Sequence, residues 1–187
     1  HLGHFALTGR LLPALLARPA SRVVTVSSTA AAFGRIDFDD LQSTRRYLRW
    51  PAYSQSKLAN QLFAYELARR AEGAGTSLIS VAAHPGYAAT NLQTAAPVSE
   101  GNRVRAELMR ITNLVFAQSD ADGALPQLYA ATAPDIANGE YLGPDSWFGQ
   151  RGHPTRVTAP RQARSTETAQ RLWTVSEELT GVVYDFR

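Results

Sequence analysis

Arg22-Val23-Val24-Thr25-Val26-Ser27-Ser28 is a short β-branched run that stops on two hydroxyl side chains. Val and Thr are stiff at χ1 and suit a pleated strand, and a run this apolar suits a parallel strand covered on both faces. Outward from it, the next ordered element is a long helix starting near Pro51, a residue suited to a first turn, and running to about Glu72. Leu58, Leu62, Phe63, Leu67 and Ala71 mark its buried face, and Gly73 with Gly75 supplies the stop. Leu78 to Ala83 reads as a second short strand, closed by His84-Pro85-Gly86. Upstream, Leu2, Phe5, Leu7, Leu11, Leu12, Leu15 and Leu16 form a helical stripe within residues 1–17, with Pro13 as a kink site. Downstream, Val104, Leu108, Ile111 and Val115 repeat at helical spacing. Ser119-Asp120-Ala121-Asp122 looks like a capping box for a helix through Leu125, Leu128 and Tyr129. Glu140-Tyr141-Leu142 is a small strand, residues 144–164 read as loop, and a last helix spans about Ser165 to Leu179. Helix and strand alternate, which argues an α/β protein with a parallel sheet.

With 187 residues, one domain over 1–187 is the natural count, and 44% hydrophobic against 19% charged residues describes an ordinary globular protein. The net charge of +3 comes from scattered arginine. Arg45, Arg46 and Arg49 form the densest cluster, which reads as a solvated loop, so no nucleic-acid partner is expected. Cysteine is absent, which excludes disulfides and thiolate metal sites, and the four histidines show no metal spacing. No apolar run reaches membrane-spanning length, and a cytoplasmic setting is expected. His1-Leu2-Gly3-His4-Phe5 carries no methionine or signal pattern and reads as the inside of a helix, so an upstream segment is expected.

The chain has eighteen arginines and one lysine, Lys57, four residues after Tyr53 in Tyr53-Ser54-Gln55-Ser56-Lys57. Where arginine has replaced lysine elsewhere, the retained position calls for a compact ammonium rather than a planar guanidinium. Residues four apart share a helix face, so ammonium and phenol become neighbours. A nearby positive charge lowers the cost of the phenolate, which suits the tyrosine to acid/base work near neutrality. A phenol with pKa ~10 needs a drop of roughly three units for that, about 4 kcal/mol of differential stabilisation. Three pieces then fall in order: Ser27-Ser28 at a strand end, Tyr53 and Lys57 on the next helix, and Pro85-Gly86 at the next strand end, followed by Thr90. In open parallel sheets, ligands bind beyond the carboxyl ends of the strands, where these pieces converge.

This ordered set resembles the short-chain dehydrogenase/reductase family over nearly the whole chain. Gly34 through Asp39-Asp40-Leu41 to Tyr53-Ser54-Gln55-Ser56-Lys57-Leu58-Ala59-Asn60, and His84-Pro85-Gly86-Tyr87-Ala88-Ala89-Thr90, look most like its retinol-dehydrogenase-like branch. The resemblance implies a Rossmann-like doubly wound parallel sheet, of which the chain carries the later strands and helices. It implies that Tyr53 is general acid or base, that Lys57 binds the nicotinamide ribose and lowers the tyrosine pKa, and that Ser28 steadies the substrate oxygen. Pro85, Gly86 and Thr90 would contact the nicotinamide and its phosphate neighbourhood. The implied cofactor is NADP or NAD, with NADP favoured by the branch, and the implied substrate is an apolar alcohol or carbonyl compound. By the same likeness, the glycine-rich dinucleotide turn, the cofactor-selecting residue and a catalytic asparagine precede His1.

The expected function is thus hydride transfer between a nicotinamide cofactor and an alcohol/carbonyl pair. The alternative is a non-catalytic nicotinamide-binding sensor or interaction module on the same fold. His84 and His153 read as a structural histidine and a loop residue. The stripe from Val104 to Val115 reads as a lid helix, and Tyr87, Leu92, Leu108, Ile111, Leu114 and Phe116 as an apolar pocket wall. The apolar surface of the helices at 1–17 and 51–72, with family resemblance, implies a homodimer or homotetramer.

Overall fold

In the computed structural model, which describes residues 1–87 and 118–187, β1 (Arg22–Val26) lies parallel to β2 (Ile79–Ala83), with Val24 opposite Val81. The period of two sorts each strand between two cores. Val23, Ser80 and Ala82 face one layer, and Val24, Ile79, Val81 and Ala83 the other. On the first face lie α1 (Leu2–Leu16), α2 (Arg49–Gly73) and α4 (Thr166–Thr180). On the second lies α3 (Asp120–Thr132), over Val81, Ala83 and Leu142. Helices on both faces make the sheet doubly wound, as expected.

The sheet order is β1-β2-β3-β4, with β3 (Tyr141–Ser146) parallel to β2 and β4 (Arg151–Arg156) antiparallel to β3. The sheet is mostly parallel, as expected, with β4 antiparallel to its neighbour. One expectation is corrected here: residues 144–164 contain a strand and a short 3₁₀ turn (Arg161–Arg164) instead of continuous loop. His153 accordingly sits in β4. Pro154 fits this strand because, among the described residues, β4 is an edge of the sheet, where its missing N–H breaks no further ladder. The hairpin between β3 and β4 turns on Trp147 and Phe148, at φ 52° and 56°.

α2 is the central helix. Leu58, Leu62, Phe63, Leu67 and Ala71 are buried along it, and each large side chain contributes about 1.5–3 kcal/mol of burial. Its end follows from Gly75, at φ +67°, with Gly75 N–H donating to Glu72 O and Thr76 N–H to Ala71 O. That bond pair is a Schellman stop, which needs the left-handed residue glycine supplies. Polar side chains dock α2 on the strands: Ser80 Oγ donates to Ala64 O at 2.8 Å, and Asn60 Nδ2 to Val26 O at 2.9 Å. Below them, Phe5, Phe63, Trp173 and Tyr184 form an aromatic cluster with tilted, edge-on and stacked rings, and Tyr184 Oη donates to Phe5 O at 2.6 Å. The capping serine expected at 119 is present, accepting from Asp122 N, and Ser165, where the last helix was expected to start, caps α4 by accepting from Thr168 N.

Candidate active site

The two serines that end β1 point to different surroundings. Ser27 is buried, and its Oγ donates to Lys57 O at 2.8 Å. Ser28 is half-buried and caps the 3₁₀ turn Thr29–Phe33, accepting from Ala30 N at 3.2 Å. The turn after Ser28 rests on α2. Gly34 approaches the Ser54 backbone and Leu58 so closely that a Cβ there would overlap both. The turn of α2 that carries Tyr53 and Lys57 is therefore fastened to the segment that carries Ser28.

Tyr53 and Lys57 are both half-buried, and Lys57 Nζ stands 5.7 Å from the centroid of the Tyr53 ring. That is within cation–π range, as their spacing on one helix face requires. Burial lowers the Lys57 pKa from the ordinary lysine value. Among the described residues, no carboxylate lies within ion-pair distance of Lys57. The first turn of α1 is also close. The His4 pKa is lowered by partial burial first, then by the α-amino group and by the Lys57 charge. Trp50 meets Tyr53 edge-on, with centroids 6.0 Å apart and planes at 85°.

Beyond the carboxyl ends of the strands lies an open cleft of about 540 Å³, whose walls include Ser28, Thr29, His84, Tyr141, Phe148 and Gly149. Tyr53 and Lys57 are not among its walls. Ser28 and the β2 end thus meet in this cleft, while the Tyr53–Lys57 pair adjoins Ser28 through the packing of the 3₁₀ turn on α2.

His84 is buried with its pKa pushed down to about 4 by desolvation. Its Nδ1 accepts from Gly86 N–H at 3.2 Å, and its ring lies against Gly143, where a Cβ would overlap it. These contacts fit a neutral structural histidine. Tyr141, over which His84 lies at 5.2 Å between centroids, has its pKa raised by burial first and then by Tyr65. Sequence reasoning read Tyr141 only as a strand residue, and its place at the cleft floor follows from register alone.

Gly86 has φ +67°, a conformation that favours glycine. A Cβ there would strike the Gln150 carbonyl and Pro144, so contact with the hairpin already accounts for the glycine. The Pro85 carbonyl accepts from Gln118 Nε2 at 2.6 Å. Thr90, the residues of the pocket wall beyond Tyr87, and the lid helix expected over Val104 to Val115 lie outside the described residues. Among the described residues, no group of histidine and carboxylate side chains could hold a metal ion, and no helix is long and apolar enough to cross a membrane.

The chain is 37% identical to human retinol dehydrogenase 12 over 99% of its own length, and 38% identical to human retinol dehydrogenase 13 over 97%. The match covers 54% and 52% of those proteins, so the chain spans about half the length of the curated relatives it matches. The chain is homologous, over nearly its whole length, to retinol dehydrogenases of the short-chain dehydrogenase/reductase family. A crystal structure of an uncharacterised protein from Mycobacterium paratuberculosis superposes with a TM-score of 0.75 at 42% identity, covering 99% of this chain and 58% of that one. No family model matches the chain. For this dehydrogenase-family chain, the donor set fits a nicotinamide cofactor at one point in particular. Lys57 is a desolvated ammonium with no carboxylate partner among the described residues, free to donate to hydroxyl oxygens.

Proposed function

We propose that the complete protein is a nicotinamide-dependent oxidoreductase acting on an apolar alcohol or carbonyl compound. The observation that carries this reading is the Lys57 ammonium held 5.7 Å from the Tyr53 ring, on a helix fastened to the strand end that bears Ser28. A bound nicotinamide supplies or accepts the hydride at the carbonyl carbon. Tyr53 Oη gives a proton to the substrate oxygen on reduction and takes it back on oxidation. Lys57 holds a positive charge beside that phenol, and its donors suit ribose hydroxyls. Ser28 Oγ donates to the substrate oxygen and fixes its position. Pro85, Gly86 and Thr90 complete the cofactor side in this reading. NADP is the proposed cofactor, with NAD as the alternative, as the branch resemblance implies.

The test is a panel of aldehydes, ketones and alcohols offered to the full-length protein with NADP(H) and NAD(H). Turnover of some member supports the reading. Cofactor binding without turnover across the panel points instead to a non-catalytic sensor.

A further inference from the structure

Lys57 is the one side-chain amine in this sequence, and so the one side chain able to condense with a carbonyl group. The eighteen arginines hold delocalised guanidinium groups that stay protonated, and there is no cysteine to compete as a nucleophile. A lysine reacts through its free amine, and an ordinary exposed lysine is almost wholly an ammonium at neutral pH. The surroundings of Lys57 move that balance. Its side chain is half-buried, and among the described residues Nζ meets no carboxylate and no hydrogen-bond acceptor. Its contact is with the Tyr53 ring, 5.7 Å from the centroid, a weaker hold on the charge than a buried ion pair. Burial lowers its pKa, which raises the share of free amine; desolvation of this kind is how lysines become nucleophiles.

The amine also has a definite place. It lies one helical turn from Tyr53 on the same face of α2. The Gly34 backbone seats the segment after Ser28 on that part of the helix, against Ser54 and Leu58. A carbonyl compound brought to Tyr53 therefore comes to the helix face that carries the amine.

We propose that Lys57 is a covalent capture site for aldehydes when the protein holds no cofactor. The product is an imine. The ammonium first gives one proton to solvent. The amine nitrogen then bonds to the carbonyl carbon, and its two hydrogens leave with the carbonyl oxygen as water. Nothing is oxidised or reduced, and water reverses the step. One consequence rests on the oxidoreductase reading: a bound nicotinamide ribose takes up the same Nζ and closes the site. Aldehyde that arrives first thus blocks the cofactor, and cofactor that arrives first protects the lysine.

The experiment treats wild-type full-length protein, free of cofactor, with hexanal and sodium cyanoborohydride at neutral pH. The hydride reagent fixes an imine as a stable secondary amine. Trypsin cuts after Arg49, Lys57 and Arg69, and an alkylated lysine resists it, so capture yields a peptide of residues 50–69 carrying one hexyl group. Nα-acetyl-lysine amide under the same conditions gives the rate of an ordinary lysine. Lys57 is expected to label faster than that reference. NADP at about ten times its dissociation constant should lower the label roughly tenfold, as the open fraction falls by that factor. An unlabelled Lys57, or one labelled no faster than the reference, overturns the capture site. Aldehyde turnover beside an unlabelled Lys57 overturns the capture alone and leaves the oxidoreductase reading intact. Fast labelling that neither NADP nor NAD reduces supports the capture and counts against that reading instead.

Discussion

Ser27 Oγ donates to the carbonyl of Lys57 at 2.8 Å, so the end of β1 and the turn of α2 that carries Lys57 are joined by a bond between a strand side chain and a helix backbone. The adjacent serine faces the cleft instead. This split between neighbours gives a paired test. Ser27→Ala is expected to lower stability by about 1 kcal/mol through the lost buried hydrogen bond. Ser28→Ala is expected to change stability less and to lower kcat/KM by roughly 10²–10³-fold, the scale for removing one donor to a reacting oxygen. Chemical denaturation and steady-state kinetics on both variants separate the roles, and the reverse pattern would make Ser27 the reacting serine.

His84 gives a pH dependence of stability. Its folded pKa, about 4, lies below the ordinary histidine value of 6.5, so between these values the unfolded chain binds a proton that the native one refuses. Stability therefore falls as pH drops from 6.5 towards 4, by up to roughly 3 kcal/mol. His84→Asn keeps an acceptor for Gly86 N–H without a titrating ring, and the pH slope across this window should flatten in urea melts. An unchanged slope would place the proton elsewhere.

Gly86→Ala tests the clamp between the β2 end and the hairpin. Alanine at φ +67° costs about 1–3 kcal/mol, and its methyl also meets the Gln150 carbonyl. A lower thermal midpoint is expected, with Gly75→Ala as the control in open space, where only the backbone penalty acts. Equal losses at the two glycines would show that the contact with Gln150 contributes nothing.

Leu7 and Leu11 stand exposed on α1, which bears on assembly. The proposed homodimer or homotetramer of the full-length protein covers such surface, so Leu7→Glu with Leu11→Glu should shift light scattering towards the monomer at micromolar concentration. A wild-type monomer under those conditions contradicts the assembly.

Much of this was legible because it is local. β-branched Val23 to Val26 and the helical stripe through Leu58, Leu62 and Leu67 carry their periods within a few residues, and Ser119 and Ser165 announce helix starts. The β3–β4 hairpin was hidden because Gly143, Pro144, Gly149, Gly152 and Pro154 have the composition of loop, and only long-range pairing turns Arg151–Arg156 into a strand. The same holds at the site. Tyr53 and Lys57 were readable from helix geometry. The inward bond of Ser27, the seat of His84 on Gly143 and the position of Tyr141 depend on strand register, which no short window contains.

The most direct test of the central claim compares wild-type full-length protein with Tyr53→Phe, following NADPH oxidation with the best carbonyl substrate from the panel. Removing one oxygen atom should reduce kcat by roughly 10²–10⁴-fold, the usual contribution of a positioned acid/base, while cofactor affinity and melting midpoint stay close to wild type. Equal turnover in the two proteins would contradict the assignment of proton transfer to Tyr53 and the reading built on it.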